Sequence, residues 1–440
     1  MSSFGCTDCN YSGIEWLGVV PSHWQIRKLS HLFRAGKGSK GQMLTKEFCS
    51  ANDGVYPVYS GQTENNGVMG TWNQFEFDFG DKGVLFATTV GAKAMELRQL
   101  FGKFSLSQNC MIIWPMSSAC DTRFFYYHFQ PLFRYYRSML SEHMQASFRM
   151  EDLYSYRVAV PSMEEQRNIA SFLDQETSKI DALITEQQRL IELLKEKRQA
   201  VISHAVTKGL NPDVRMKPSG VEWLGEVPEH WEVRRLKNLL SESLKYGANE
   251  SAELDDPTLP RFVRITDIDE DGNLRDETFR SLPREVAQPY LLHEGDVLLA
   301  RSGATVGKSF KYSNRWGEAC FAGYLIRARL KTQICLPDWL NYFCQTNAYW
   351  GYVVGSQIQA TIQNVSAEKY GNLYLPVPSI GEQRAIIEAL DDGLAKLKSL
   401  IDDAAKAIIL LQERRTALIS AAVTGKIDVR NYASTQKDAA

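Results

Sequence analysis

No stretch of this 440-residue chain approaches 18 uncharged apolar residues, so no segment is expected to span a membrane. The opening MSSFGCTDCN lacks a basic start followed by an apolar run, which predicts no secretory signal and a cytoplasmic location. Net charge is small: 50 Lys and Arg against 52 Asp and Glu leave −2. That argues against a general polyanion binder, while leaving room for a local basic surface balanced by acids elsewhere. The eight cysteines are mostly scattered singly and are expected as free, buried thiols in a reducing compartment. Cys6 and Cys9 form one CxxC, but a structural zinc needs a second ligand pair, so no metal is expected.

Catalytic constellations are also missing. The segment Gly303–Ser309, GATVGKS, has three residues between its glycines where a phosphate-binding loop has four, so the backbone cradle is out of register. No lysine has an acid two residues before it, as a Mg²⁺-dependent restriction nuclease site typically does. A glycine-rich cofactor turn paired with an Asn/Asp-Pro-Pro-aromatic tetrapeptide, the mark of an amino-methyltransferase, is absent. The seven histidines show no metal-ligand spacing, and His23 and His230 are expected to pack against tryptophan. The chain is therefore expected to be no enzyme, with no catalytic residue and no cofactor of its own.

What is present is one unit written twice. SGIEWLGVVPSHWQIRKL from Ser12 returns as SGVEWLGEVPEHWEVRRL from Ser219, with twelve of eighteen positions identical. PSMEEQRNIASFLDQE from Pro161 returns as PSIGEQRAIIEALDDG from Pro378, and EKRQAVISHAVT from Glu196 as ERRTALISAAVT from Glu413. The segments between these frames share little. A duplication whose frames stayed alike while their inserts diverged suggests two equivalent mounts for different readers.

The shared ends read as long helices. Pro161 and Ser162 open the first, and a 4-3 seam runs through Leu173, Ile180, Leu183, Leu190 and Leu194. The second repeats it with Leu390, Leu397, Leu400, Leu411 and Leu418. Seams this long and narrow predict a coiled coil, a rod of roughly 60 Å for forty-odd residues. Two like units on one chain are most simply related by a pseudo-twofold, which predicts antiparallel helices with a globe near each end. The expected fold is α+β: two mixed α/β globes separated by a long antiparallel two-helix coiled coil, with an internal pseudo-twofold repeat. The expected division is 1–160 first globe, 161–208 first helix, 209–377 second globe, 378–426 second helix and 427–440 a disordered tail.

Each globe carries a polar, glycine-containing loop after an apolar strand: ATTVGAK in the first, ARSGATVGK in the second. Such loops bring backbone N–H groups, hydroxyls and ammonium groups to phosphate oxygens. Thr88, Thr89, Lys93, Arg98 and Lys103 are the candidates in the first globe, and Arg301, Ser302, Thr305, Lys308 and Lys311 in the second. A second candidate surface precedes each helix and supplies Gln145 and Arg149, then Gln357, Gln359, Thr361 and Asn364; amides among them can address base edges. The aromatic run RFFYYHFQPLFRYYRSML from Arg123 is expected to be core rather than a stacking platform.

The pattern WLGxVPxHW, variable globe, PxxxEQRxI, long helix ending in an ALISxAVT-type run, all written twice, resembles the DNA-specificity subunit of type I restriction-modification systems. The resemblance covers about 12–426. It implies that each globe is a target-recognition domain reading one half of a bipartite double-stranded DNA site. The coil would be the spacer between halves, and two methylation subunits, then restriction subunits, would join. Trp16, Trp24, Trp223 and Trp231 of the frame motifs are the candidate partner-binding residues. Two other readings stay open: the same architecture serving another defence or methylation system, and a coiled-coil scaffold joining proteins without DNA.

Overall fold

The computed structural model describes residues 9–429 apart from 63, 117, 141–145, 252, 270–271 and 358–363. It divides into two compact units. Residues 1–187 and 406–440 form the first, and 188–405 the second.

The first unit is built on an antiparallel sheet in the order Phe33–Gly36, Cys110–Pro115, Val84–Thr88, Leu97–Leu100. Its Val84–Thr88 strand is buried throughout, as a continuous apolar run must be when both faces are covered. Side chains alternate across the strand. Leu85 and Ala87 enter a core with Phe124, Phe125 and Phe129 of the aromatic run, while Val84 and Phe86 meet Phe104 and Leu106. Tyr56–Tyr59 runs parallel to Lys103–Leu106 beside this core.

The second unit repeats that plan. Its sheet order is Lys245–Tyr246, Leu325–Ala328, Val297–Ala300, Ser309–Lys311, and Arg261–Val263 runs parallel to Ala319–Phe321. Val297 and Leu299 face one core, and Leu298 and Ala300 another. The inserts thus share topology with little shared sequence, because alternating burial constrains residue class and not identity.

The frame motifs explain themselves as a lock. In the first unit, strand Gln25–Lys28 pairs with Arg157–Val160 and feeds the helix Met163–Lys208. Trp24 Nε1 donates to Glu165 Oε1 at 3.0 Å, and His23 Nε2 lies 3.1 Å from the same carboxylate. In the second unit, Glu232–Arg235 pairs with Tyr374–Val377 and feeds the helix Ile380–Val423. There Trp231 Nε1 donates to Glu382 Oε1 at 2.9 Å, and His230 Nε2 lies 2.9 Å from Oε2. The next residue completes the lock. Gln166 is buried, accepts from Asp121 N–H at 2.8 Å, and donates to the carbonyls of Ala119 and Pro161 at 2.9 and 3.0 Å. Gln383 does the same with Leu336, Ile334 and Pro378 at 2.9, 2.8 and 2.9 Å. Buried polar groups must find partners, and these amides find all of theirs at the helix start. Ser162 and Ser379 cap the two helices through N–H groups of Glu165 and Glu382.

Within the first unit the start of the first long helix packs along the end of the second. Ile169 and Leu173 share a core with Ile419 and Ala422, and Arg415 Nε donates to Asp181 at 2.8 Å. Rising numbers on one helix meet falling numbers on the other, so the segments run antiparallel. Within the second unit Ile202, Ala205 and Val206 share a core with Ile386 and Leu390. Gly425, just past the second helix, has φ +74, and a Cβ there would lie 2.4 Å from Pro21; only glycine satisfies both demands.

Several expectations need correcting. Leu183, Leu190 and Leu400 do not line the seam; they are 50%, 42% and 52% exposed. Their neighbours Ile184, Ile191 and Ile401 are partly buried instead, alongside buried Ile180, Leu194, Leu397 and Ala404. One of the two seam rows was read one residue early, since both members of Leu183-Ile184 and Leu190-Ile191 are apolar. Leu173 and Leu390 are buried, and Leu411 and Leu418 partly buried. Trp24 and Trp231 are buried and hold their own helix starts, so neither offers a partner-binding face. Trp16 and Trp223 are partly buried against His128 and Tyr352. Cys9 is in a disulfide rather than a free thiol, whereas Cys49, Cys110, Cys120, Cys320, Cys335 and Cys344 are free and buried. Ile427 and Val429 pack into the first core, and residues 430–440 of the expected tail lie outside the described residues. Among the described residues no helix is long and apolar enough to cross a membrane, and no cluster of side chains could hold a metal ion.

His128 sits inside the aromatic helix, fully buried, with Nδ1 3.2 Å from the Val423 carbonyl and Nε2 without a partner among the described residues. Burial pushes its pKa down to about 4. The unfolded chain takes up this proton near pH 6.5, so stability is complete above that pH and falls as pH drops from about 6.5 to about 4, on the order of 3 kcal/mol in all. His128→Phe is expected to flatten that part of the unfolding-versus-pH curve; an unchanged slope in urea titrations at pH 7 and 5 would refute it.

Candidate nucleic-acid interface

In the second unit the buried strand Val297–Ala300 ends and the chain immediately loops back. Gly307 N–H donates to the Ala300 carbonyl at 2.9 Å, and Ala300 N–H to the Lys308 carbonyl at 2.8 Å, closing residues 301–307 into a loop. Gly307 has φ +89, and a Cβ would lie 2.8 Å from the Trp350 ring, so glycine is required there. The strand is anchored from below by Asp296, which is buried, accepts the His293 N–H at 2.8 Å, and receives Nε and Nη2 of Arg329 at 2.7 Å each.

The polar segment before the second long helix lies along this loop. Val365 N–H donates to the Arg301 carbonyl at 2.8 Å, and Ser302 bridges to Asn364. The Arg301 guanidinium stacks over the Tyr246 ring at 4.7 Å, with Nε 3.5 Å from Asn364 Oδ1. The first unit makes the same junction: Phe148 N–H donates to the Thr89 carbonyl at 2.7 Å, and Val90 bridges to Ser147. Its loop is closed by Met95 N–H to Thr88 and Thr88 N–H to Glu96, at 2.8 and 3.2 Å. The two candidate surfaces of each globe are therefore one surface. The equivalence also sets Thr89 where the second globe has Arg301, and Glu96 where it has Lys308.

The candidates distribute unevenly on it. Arg301, Ser302 and Asn364 come together; Thr305 is partly buried in the same loop, and Lys308 is exposed. Lys311 sits on the neighbouring strand, its ammonium paired with Asp338. In the first globe Lys93 is exposed with Glu96 at 3.9 Å, Arg149 is exposed at the start of helix Met150–Ser155, and the Lys103 ammonium lies 4.8 Å over the Phe75 ring. Thr88 and Thr89 are buried, because the chain folds back over them through the backbone bonds just described, and they present no hydroxyl to a ligand. Arg98 turns inward: Nη2 donates to the Gln62 carbonyl at 2.7 Å and Nη1 is buried. These three are therefore withdrawn as contacts. Gln145, Gln359 and Thr361 lie outside the described residues, as does the side chain of Gln357. Tyr246 escaped sequence reasoning, since nothing in ESLKYGANE announces that its ring will carry an arginine 55 positions on.

Comparison with known proteins now adds to this geometry. A family model for the type I restriction modification DNA specificity domain matches residues 21–194. The MjaVIII specificity subunit of Methanocaldococcus jannaschii is 22% identical over 94% of this chain and 95% of its own. The EcoDI specificity subunit of Escherichia coli is 19% identical, covering 93% and 90%. Among solved structures, a chain from a study of complex assembly and conformational transition of the type I R-M system superposes with a TM-score of 0.67 at 14% identity, covering 93% of this chain and 99% of that one. The HsdS subunit from Thermoanaerobacter tengcongensis gives 0.50 at 15% identity, over 93% and 98%. These two show the fold. With the duplicated frame and the locked helix starts, the chain is related from end to end to the DNA-specificity subunits of type I restriction enzymes and carries the DNA specificity domain of that family over residues 21–194.

Proposed function

We propose that the two globes, residues 1–160 and 209–377, each read one half of a bipartite double-stranded DNA target, with the helices 161–208 and 378–426 acting as the spacer between halves. The complex of which this chain is part would then comprise two methylation subunits and, through them, restriction subunits, acting in the cytoplasm. The observation that carries this reading is the junction found in both units, where a polar loop after a buried strand and the polar segment before a long helix pair along their backbones. A shared frame carrying different side chains (Arg301 against Thr89, Lys308 against Glu96) lets each globe seat its own stretch of duplex in an equivalent pose. In the first globe Lys93, Lys103 and Arg149 are the remaining candidates; in the second, Arg301, Ser302, Thr305, Lys308 and Asn364.

The test is to co-express the chain with its methylation subunit and map N6-methyladenine across the host genome. One bipartite motif with a fixed gap is expected; a stable complex without any motif would refute the reading. Arg301→Ala is expected to weaken binding through the second half-site about tenfold and to lower the salt slope of binding by about one unit, as loss of one phosphate contact does. Equal loss of preference at both halves would count against the assignment.

A further inference from the structure

A cavity of about 370 Å³ opens beside Ser302 and Gly303 in the second globe. Its floor is apolar: Ala248, Phe262 and Ala322 are all buried. Its rim is polar and reachable, with Asn249 and Thr266 exposed and Tyr324 67% exposed. Tyr324 is tied to the reading surface, since its carbonyl accepts the Arg301 N–H at 3.0 Å. One wall is stiffened by Arg264, whose Nε and Nη2 donate to the buried Asp267 at 3.0 and 2.7 Å, and whose Nη2 also donates to the Thr278 carbonyl at 3.0 Å. Gly303, with φ +77, would meet no atom within 4 Å if it carried a Cβ, so that edge is open to an approaching ligand. The Asn249 side chain is exposed and makes no hydrogen bond with the described residues.

The chemistry of this place differs from that of the adjoining loop. Arg301 and Lys308 offer charge, which suits phosphate and carries no sequence information. The cavity offers an unpaired amide above a floor of alanine and phenylalanine. An asparagine amide matches adenine N6 and N7 in two bonds, and small apolar side chains match the 5-methyl of thymine. Acidic residues outnumber basic ones between 219 and 377, so net charge does not favour undirected attraction of this globe to phosphate.

The geometry points to this cavity as the specificity-determining site for an A·T pair in the second half-site, with Asn249 on the adenine edge, the Ala248–Phe262–Ala322 floor under the thymine methyl, and Tyr324 closing the rim. The inference rests on the half-site reading above and deepens it: the Arg301 loop positions the duplex, and the cavity chooses a base pair. Arg264 and Asp267 are positioning residues for the wall.

The experiment uses the full chain in complex with its methylation subunit and duplexes bearing the motif found for the wild type. Asn249→Ala is expected to reduce discrimination at one A·T position of the second half by about tenfold to a hundredfold while leaving the first half untouched. Replacing that thymine by uracil, which removes only the methyl, is expected to weaken wild-type binding about fourfold. Tyr324→Ala should relax the same position. If Asn249→Ala and Tyr324→Ala leave every base preference unchanged, or lower affinity equally for all sequences, the inference is overturned. A second half-site with no A·T pair overturns it as well, using the wild type alone. A wild-type complex that yields no motif removes the half-site reading, and the inference with it.

Discussion

Trp231→Ala is expected to destabilise the second unit by about 3–5 kcal/mol, the ordinary cost of emptying a large buried aromatic site. Three contacts fail together. The indole is fully buried, it packs edge-on against Trp339 at a centroid distance of 5.5 Å, and its Nε1–H donates to Glu382 at 2.9 Å at the start of the second long helix. Losing it also uncovers the end of the first long helix, because Gly209 lies against the same ring. At about 2–4 °C per kcal/mol for a unit of this size, Tm should fall by about 6–20 °C. Trp231→Phe separates the contributions: it keeps most of the ring and loses the hydrogen bond, so about 1–2 kcal/mol is expected. Thermal unfolding of the whole chain decides between them. A fall of only a degree or two for the alanine variant would show that Gln383 and the strand pairing hold the helix start without the indole.

The second large effect concerns the spacer. Removing one heptad from each long helix keeps the periodicity that buries Ile180, Leu194, Leu397 and Ala404, so each unit should still fold. Seven residues at 1.5 Å shorten a helical spacer by about 10 Å, close to three base pairs of duplex. Three base pairs also turn the duplex by about a hundred degrees, so a half-site moved nearer no longer faces its reader. Methylation of the native motif is therefore expected to fall to the non-specific level, about a thousandfold or more below the specific one. A panel of duplexes with gaps shortened and lengthened by one to five base pairs reads the outcome directly. Unchanged spacing would show that the helices do not set the gap, and the spacer reading would have to be given up.

How far the sequence went is visible in particular residues. The repetition of the frame motifs announced two copies. The first long helix followed from Pro161 and Ser162 and the apolar periodicity beyond them, and the second from its likeness to the first; that PxHW would lock onto EQR some 140 positions away was not legible, because the bonds of Trp24 and His23 to Glu165 are long-range. What sequence could not do was choose between Leu183 and Ile184, or Leu190 and Ile191: both neighbours are apolar, and the choice falls to whichever faces the packed side. Burial of Trp24 and Trp231 was equally hidden, since a tryptophan in a repeated motif serves a core and an interface alike.

The interface shows the same division. Sequence alone marked the ARSGATVGK loop and the polar segment before the second helix, because a run of Gly, Ser, Thr and Lys after a buried strand has few other uses. It kept them as two candidates, because Ser302 and Asn364 stand 62 positions apart and meet only in space. It also offered Thr88 and Thr89, which the backbone bonds of the first globe bury, and missed Tyr246 and Asn249 of one segment and Tyr324 of a distant turn, which meet only in the fold. Periodicity and local capping act over a few residues, and these fixed the helices, while the class of the protein came from the resemblance of the repeated motifs. Which side chains share one surface depends on strand order and on which face each strand buries, and only the tertiary structure decided that.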